Sequence, residues 1–256
     1  KPMLSKYKLN QLYFKDTQFA NLMTRRIFNV LLIANPYDAF MLEDDGRIDE
    51  KIFNEYTSLS LQPSPRFSQV STEEEALTLL ENMTFDLVIC MPSTGDNDSF
   101  DIGRHIKSLY EHIPIVILTP FSHGITARIA DEDLSAFDYV FCWLGNTDLL
   151  VSIIKLIEDK MNLEHDVAEV GVQLILLVED GIRFYSSVLP NLYKFVLKQS
   201  QEFSTEALNA HQRTLRMRGR PKIVLARTYD EAITIYEKYK NNILGVITDV
   251  RFPRVE

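Results

Sequence analysis

The chain has 256 residues, enough for two domains of ordinary size, and its 46% hydrophobic and 11% aromatic content supports filled cores and excludes general disorder. A net charge of -9 argues against a nucleic-acid-binding surface, and Cys90 and Cys142, both inside apolar runs, are spaced like neither a zinc site nor a redox pair. With no signal peptide and no run of about eighteen apolar residues, a soluble cytoplasmic protein without membrane contact is expected.

Residues 1–25 read as a polar arm, with Asp16 or Thr17 opening a short helix through Phe19, Leu22 and Met23 that packs on the first domain. Ile27 to Ile33 is a buried strand ending at Ala34-Asn35-Pro36. A loop around Glu43-Asp44-Asp45-Gly46 follows, and then an amphipathic series, Ile48, Ile52, Phe53 and Tyr56. Beyond the Gln62-Pro63-Ser64-Pro65 break come a strand at Arg66 to Val70, a Thr72-Glu73-Glu74-Glu75 capping box opening a helix, and a strand at Leu87 to Met91. Asp96 and Asp98, in the next loop, read as solvated acids. Phe100 to Tyr110 reads as a helix, and Ile113 to Thr119 and Phe137 to Cys142 read as strands. Asn146 or Thr147 caps a last helix whose apolar face is Leu149, Leu150, Ile153, Ile154 and Ile157.

Lys160 to Val170 is polar, carries His165 and Asp166, and reads as the interdomain boundary. A second buried strand, Gln173 to Val178, ends in Glu179-Asp180. The helix after it has Phe184, Val188, Leu192, Phe195 and Val196 as its apolar series, with a kink or early break expected at Pro190. Ser204 or Thr205 starts another helix running to Gly219-Arg220-Pro221. Its Arg213, Arg216, Arg218 and Arg220, with Lys222, read as a solvated or partner-facing basic patch, nucleic acid being the weaker reading. Thr228-Tyr229-Asp230-Glu231 is a second capping box, leading to a strand at Leu244 to Asp249.

The same unit therefore occurs twice. Ile27–Asn35 corresponds to Gln173–Asp180, the two capping boxes correspond, and Leu87–Met91 corresponds to Gly245–Asp249. In the second unit, Glu179, Asp180 and Asp249 close neighbouring strands at the carboxyl edge of a parallel sheet, the edge where ligands bind in doubly wound folds. Such a set of hard oxygen donors suits magnesium. In the first unit Ala34, Asn35 and Met91 occupy those positions, so no metal ligand or nucleophile remains there.

Asp249-Val250-Arg251-Phe252-Pro253 resembles the Asp-x-x-Met/Phe-Pro run of response-regulator receiver domains, and Leu177-Val178-Glu179-Asp180 resembles their acidic pair. The resemblance implies an α/β chain of two flavodoxin-like (CheY-like receiver) domains with parallel sheets. It implies phosphorylation of Asp249 by a histidine kinase or phosphotransfer protein. Magnesium would be held by Glu179, Asp180, Asp249 and the backbone carbonyl of Arg251. Thr119 falls at the family's switch-threonine position, but Cys142 replaces its lysine, so residues 26–162 read as a degenerate pseudo-receiver. Residues 163–256 read as the N-terminal part of a second receiver, truncated before its last two strands, with a helical insertion at about 183–220. An exposed sheet edge and a possible homodimer follow from that truncation.

The segments Phe19 to Arg26, Trp143 to Leu150 and Phe184 to Pro190 resemble the N-terminal regulatory region of bacterial phosphoenolpyruvate synthase or pyruvate, phosphate dikinase-like proteins. That would make the chain a non-catalytic switch for an attached C-terminal effector, with ATP used only in the downstream enzyme. Alternatives are a response regulator with a C-terminal DNA-binding output domain, a purely structural pseudo-receiver scaffold, and a metal-dependent hydrolase. The hydrolase would need a second aspartate where Arg251 stands.

Overall fold

In the computed structural model, residues 19–43, 47–59, 61, 63–92, 99–120, 129, 132–203 and 215–249 are described. Five parallel strands, β1 (Asn29–Ile33), β2 (Arg66–Val70), β3 (Leu87–Cys90), β4 (Ile115–Pro120) and β5 (Tyr139–Trp143), form one sheet in the order β2-β1-β3-β4-β5. That is the doubly wound, flavodoxin-like order, as expected. Alternate residues of β1 feed opposite faces, Val30 and Leu32 entering one core while Leu31 and Ile33 enter the other. This two-sided burial is why the central strands read as unbroken apolar runs. Helices α1 (Pro36–Glu43), α2 (Ile48–Ser58), α3 (Glu73–Asn82), α4 (Ser99–Leu109) and α5 (Asp148–Val170) belong to this unit.

The second unit repeats the start of the first. Strands β6 (Leu174–Val178), β7 (Lys222–Ala226) and β8 (Ile243–Thr248) form a parallel sheet in the order β7-β6-β8, with helices α6 (Ile182–Phe203) and α7 (Tyr229–Tyr239). Both capping boxes form: Thr72 Oγ1 accepts from the Glu75 N–H and Thr228 Oγ1 from the Glu231 N–H, each at 3.2 Å. The glutamates reach back one residue beyond the cap, accepting from the Ser71 and Arg227 N–H groups at 2.9 and 2.7 Å. Among the described residues β8 has a strand on one side only, and Leu244, Val246 and Ile247 are exposed.

Three expectations are corrected. The polar stretch 160–170, read as a linker, is the second half of the 23-residue α5; Gly171–Gln173 alone join α5 to β6. His165 sits on that helix, half-exposed, with Nδ1 3.1 Å from Asp166 Oδ1. Within 160–170 Asn162 and Asp166 are buried against partners while Lys160, Glu164 and Glu169 are exposed, and a buried paired charge looks like surface in a sequence. Asp159, fully buried, accepts from Arg220 Nη2 and Nη1 at 2.7 and 2.9 Å, from the Tyr193 hydroxyl at 2.9 Å and from the Ile223 N–H at 3.0 Å. Asp166 lies 2.8 Å from Lys222 Nζ and accepts from the Met23 N–H, while Glu158 bonds Lys155 Nζ at 2.6 Å and the Ile27 N–H at 3.1 Å.

The second correction follows from the first. Arg220 and Lys222, expected in an exposed basic patch, are 3% and 0% exposed and serve as the counter-ions of α5. Burial alone would push the Arg220 guanidinium down, but the Asp159 charge beside it outweighs that and holds it above its ordinary value. Lys222 and Lys155 are held below the ordinary lysine value by burial, which their carboxylate partners only partly offset. Arg218 reaches the other way, donating to the Ala20 carbonyl at 2.8 Å, so the arm residues 19–25 pack at the junction of both units. Arg213 and the start of the helix expected from Ser204 or Thr205 lie outside the described residues, and residues 215–218, at the end of that stretch, are helical.

Third, α6 runs through Pro190 without the early break, and its inward face is only partly the expected one: Val196 is buried and Leu192 packs against the core, but the two phenylalanines of the series do not. Its buried stripe is Tyr185, Ser186, Leu189, Tyr193, Val196 and Leu197, while Phe184 and Phe195 are 58% and 64% exposed. Tyrosine displaces phenylalanine here because both phenolic hydroxyls find acceptors: Tyr185 donates to the Val140 carbonyl and Tyr193 to Asp159. The stripe packs on β5 and α5, so one continuous core joins the two units. Among the described residues, no helix is long and apolar enough to cross a membrane.

Candidate functional site

The duplicated topology fixes where the three acids meet. In the first sheet Ile33 pairs with Cys90, the Ala34 N–H donates to the Val70 carbonyl at 3.0 Å, and the Met91 N–H donates to the Ile33 carbonyl at 2.8 Å. In the second, Val178 pairs with Thr248, the Glu179 N–H donates to Ala226 at 3.0 Å, and the Asp249 N–H donates to Val178 at 3.1 Å. Glu179 and Asp249 therefore leave adjacent parallel strands side by side, at the carboxyl edge of the sheet. Carboxylate oxygens of Glu179, Asp180 and Asp249 all lie within 4.8 Å of one another.

The three are not equivalent. Glu179 is 5% exposed and accepts a hydrogen bond from the Gly181 N–H at 2.9 Å, whereas Asp180 and Asp249 face solvent. A Cβ on Gly181 would stand 2.8 Å from Glu179 Oε1, so a larger residue there would make the carboxylate shift from its place over the start of α6. Thr248 donates its hydroxyl to the Asp249 carbonyl at 2.7 Å, which fixes the backbone beneath the third acid. Sequence reasoning missed both roles; the Glu-Asp-Gly order was the available signal for the first.

At such a separation each carboxylate pair repels by about 1 kcal/mol in water-like surroundings and about 3 kcal/mol at an effective dielectric constant near 20. A divalent cation offsets that repulsion. Three hard oxygen donors, two of them open to solvent so that waters complete the shell, fit magnesium. The Arg251 carbonyl, expected as a further ligand, lies outside the described residues, as do Asp44, Asp45, Asp96 and Asp98.

The matching corner of the first unit is built differently. Ala34 and Met91 are buried and apolar, and Asn35 Oδ1 caps α1 by accepting from the Asp38 N–H at 2.8 Å, with Pro36 in the first helical position. Thr119 is buried and donates its hydroxyl to the Pro120 carbonyl. Cys142, where the resemblance expects a lysine, is a buried free thiol, as is Cys90.

No family model and no curated protein matches the sequence. Solved structures do. The response regulator TrrA of Thermotoga maritima, in complex with Mg2+-BeF, is 19% identical and superposes with a TM-score of 0.37, over 50% of this chain and 97% of its own. The same figures hold for TrrA in complex with the histidine kinase ThkA. A CheY-like receiver domain protein of Methanospirillum hungatei is 16% identical, with a TM-score of 0.36 over 54% of this chain and 98% of its own. These likenesses concern the fold, which the strand order establishes independently.

Proposed function

We propose that the chain is a phosphoacceptor regulatory module in which Asp249 receives a phosphoryl group while Glu179 and Asp180 hold magnesium. The observation that carries this reading is the convergence of three carboxylates within 4.8 Å at one strand edge of the second unit, with all three positions replaced in the first. Asp249 is exposed, as a nucleophile that must meet a phosphodonor has to be. Glu179 is buried and braced by Gly181, as a structural ligand would be. Bound magnesium would supply positive charge to offset the charge on phosphoryl oxygens; the protein's own part is to hold three oxygens on two adjacent strands and aim Asp249 outward. The step forms an acyl phosphate between Asp249 and the transferred phosphoryl group, and the donor leaves with the bond's electron pair.

A histidine kinase or phosphotransfer protein is the proposed donor, and the output passes to an attached effector. The likeness of Phe19–Arg26, Trp143–Leu150 and Phe184–Pro190 to phosphoenolpyruvate synthase-type proteins is what supports that class of effector. The proposed limits are residues 26–162 for the inert unit and 163–256 for the acceptor unit, which puts the boundary inside α5 and gives its last two turns, from Leu163 on, to the second unit's core. Incubation with acetyl phosphate and Mg2+, read by intact mass, tests the acceptor. One added phosphoryl group on the native chain and none on Asp249→Asn supports the assignment; equal labelling of both sinks it.

A further inference from the structure

We infer that the first unit, whose matching corner lacks the three acids, is a positioning clamp for the acid pair of the second, acting through the first turns of α6. The inference rests on the metal-binding reading above. Glu179 bonds the N–H of Gly181, and α6 begins at the next residue. Ile182 then packs against both cores of the first sheet. Tyr185 sets its ring edge-on to Phe141, centroids 5.7 Å apart, and donates to the Val140 carbonyl. The Cys142 N–H donates to Ser186 Oγ at 2.9 Å, while the Ser186 hydroxyl donates to the Ile182 carbonyl at 2.6 Å.

Those two bonds use backbone groups of β5, the last strand of the first sheet. An outer strand ordinarily leaves such groups to water or to another strand, and here a helix of the second unit takes them. From Ile182 to Ser186 is about 6 Å along a helix axis. The start of α6, and with it the backbone that presents Glu179 and Asp180, is thus keyed to the first unit and not to its own sheet alone.

Loss of catalytic acids therefore leaves the first unit with a use. Its β5 fixes the geometry of a site it no longer contains. Coupling of this kind is reciprocal: whatever the β5 contacts contribute to metal affinity, metal binding returns to β5. Tyr185 and Ser186 are positioning residues, since neither is among the three carboxylates.

The chain carries its own reporter. Trp143, its single tryptophan, follows Cys142 in β5 and packs against the shared core. The test uses the 256-residue protein, with Mg2+ binding measured by calorimetry and Trp143 emission recorded over the same titration. The expected result is a saturable emission change at the calorimetric midpoint. Tyr185→Phe and Ser186→Ala should each weaken Mg2+ binding by about three- to tenfold, the range of one lost hydrogen bond. Ser187→Ala, on the exposed side of the same turn, should leave both readouts unchanged. Normal Mg2+ binding with silent Trp143 emission and unaltered affinity in both variants would overturn the clamp and leave the metal reading standing. Absence of Mg2+ binding to the native protein would remove the metal reading and the clamp together.

Discussion

Replacing Asp159 by alanine removes the carboxylate on which Arg220, the Tyr193 hydroxyl and the Ile223 N–H converge, and leaves Lys222, 3.9 Å away, with Asp166 as its remaining acid. Arg220 is 3% exposed, so water cannot take the missing place without opening the core. Breaking a buried ion pair from one side costs about 3–5 kcal/mol, because the surviving charge stays buried. With a urea dependence of about 3 kcal/mol per molar, the midpoint should fall by about 1–1.7 M. Trp143 emission gives the transition, and a second probe such as far-UV circular dichroism should coincide with it if the shared core unfolds as one unit. Removing the pair altogether should be far gentler: Asp159→Leu with Arg220→Met should recover at least half of the loss. A cost below about 1 kcal/mol for Asp159→Ala, the size of an exposed pair, would refute the argument that this network is sealed from solvent.

Other expectations concern different parts of the molecule. Gly103→Ala would place a Cβ 2.5 Å from the ring of Phe137, itself buried edge-on against Phe100, so it should destabilise by about 1–3 kcal/mol despite the better helix propensity of alanine, as urea unfolding will show. Burial pushes the Cys90 thiol up from 9.0 to about 12, and raises Tyr56 and Tyr193 above 10.0 by burial first and a neighbouring carboxylate second. The unfolded chain releases these protons first, so their stabilisation is complete below about pH 9 and is lost as pH rises towards 12, while Lys155 and Lys222, lowered by burial, contribute in the opposite direction. Urea midpoints that rise between pH 9 and 11 would contradict this. At neutral pH, Cys90 should resist thiol reagents until urea is added, as mass spectrometry can follow.

What could be read in advance was local and periodic. Unbroken apolar runs gave the strands because a strand buried on two faces has no polar side to show, and Thr72 and Thr228 gave helix starts because capping chemistry is confined to four residues. The acids were legible because the repeat supplied an internal control: Ala34, Asn35 and Met91 against Glu179, Asp180 and Asp249. The join between the units was not. Asp159 and Asp166 look like the solvated side of a helix until Arg220 and Lys222, some 60 residues on, are known to sit against them. The reading of the inward face of α6 failed at Phe184 and Phe195 for the same reason. Phe184 outranks Tyr185 in hydrophobicity, and only the distant Val140 carbonyl makes tyrosine the better buried residue.

The 23-residue α5 also bears on how such a protein is inherited. Duplicated units are usually thought of as cassettes, free to be copied, swapped or deleted at the seam between them. Here the seam passes through one helix, with its Asp159 and Asp166 matched to Arg220 and Lys222 beyond β6. A recombination event falling after Asp166 would separate both acids from Arg220 and Lys222 and leave buried charges unmatched. Lineages carrying this arrangement should gain or lose the two units together.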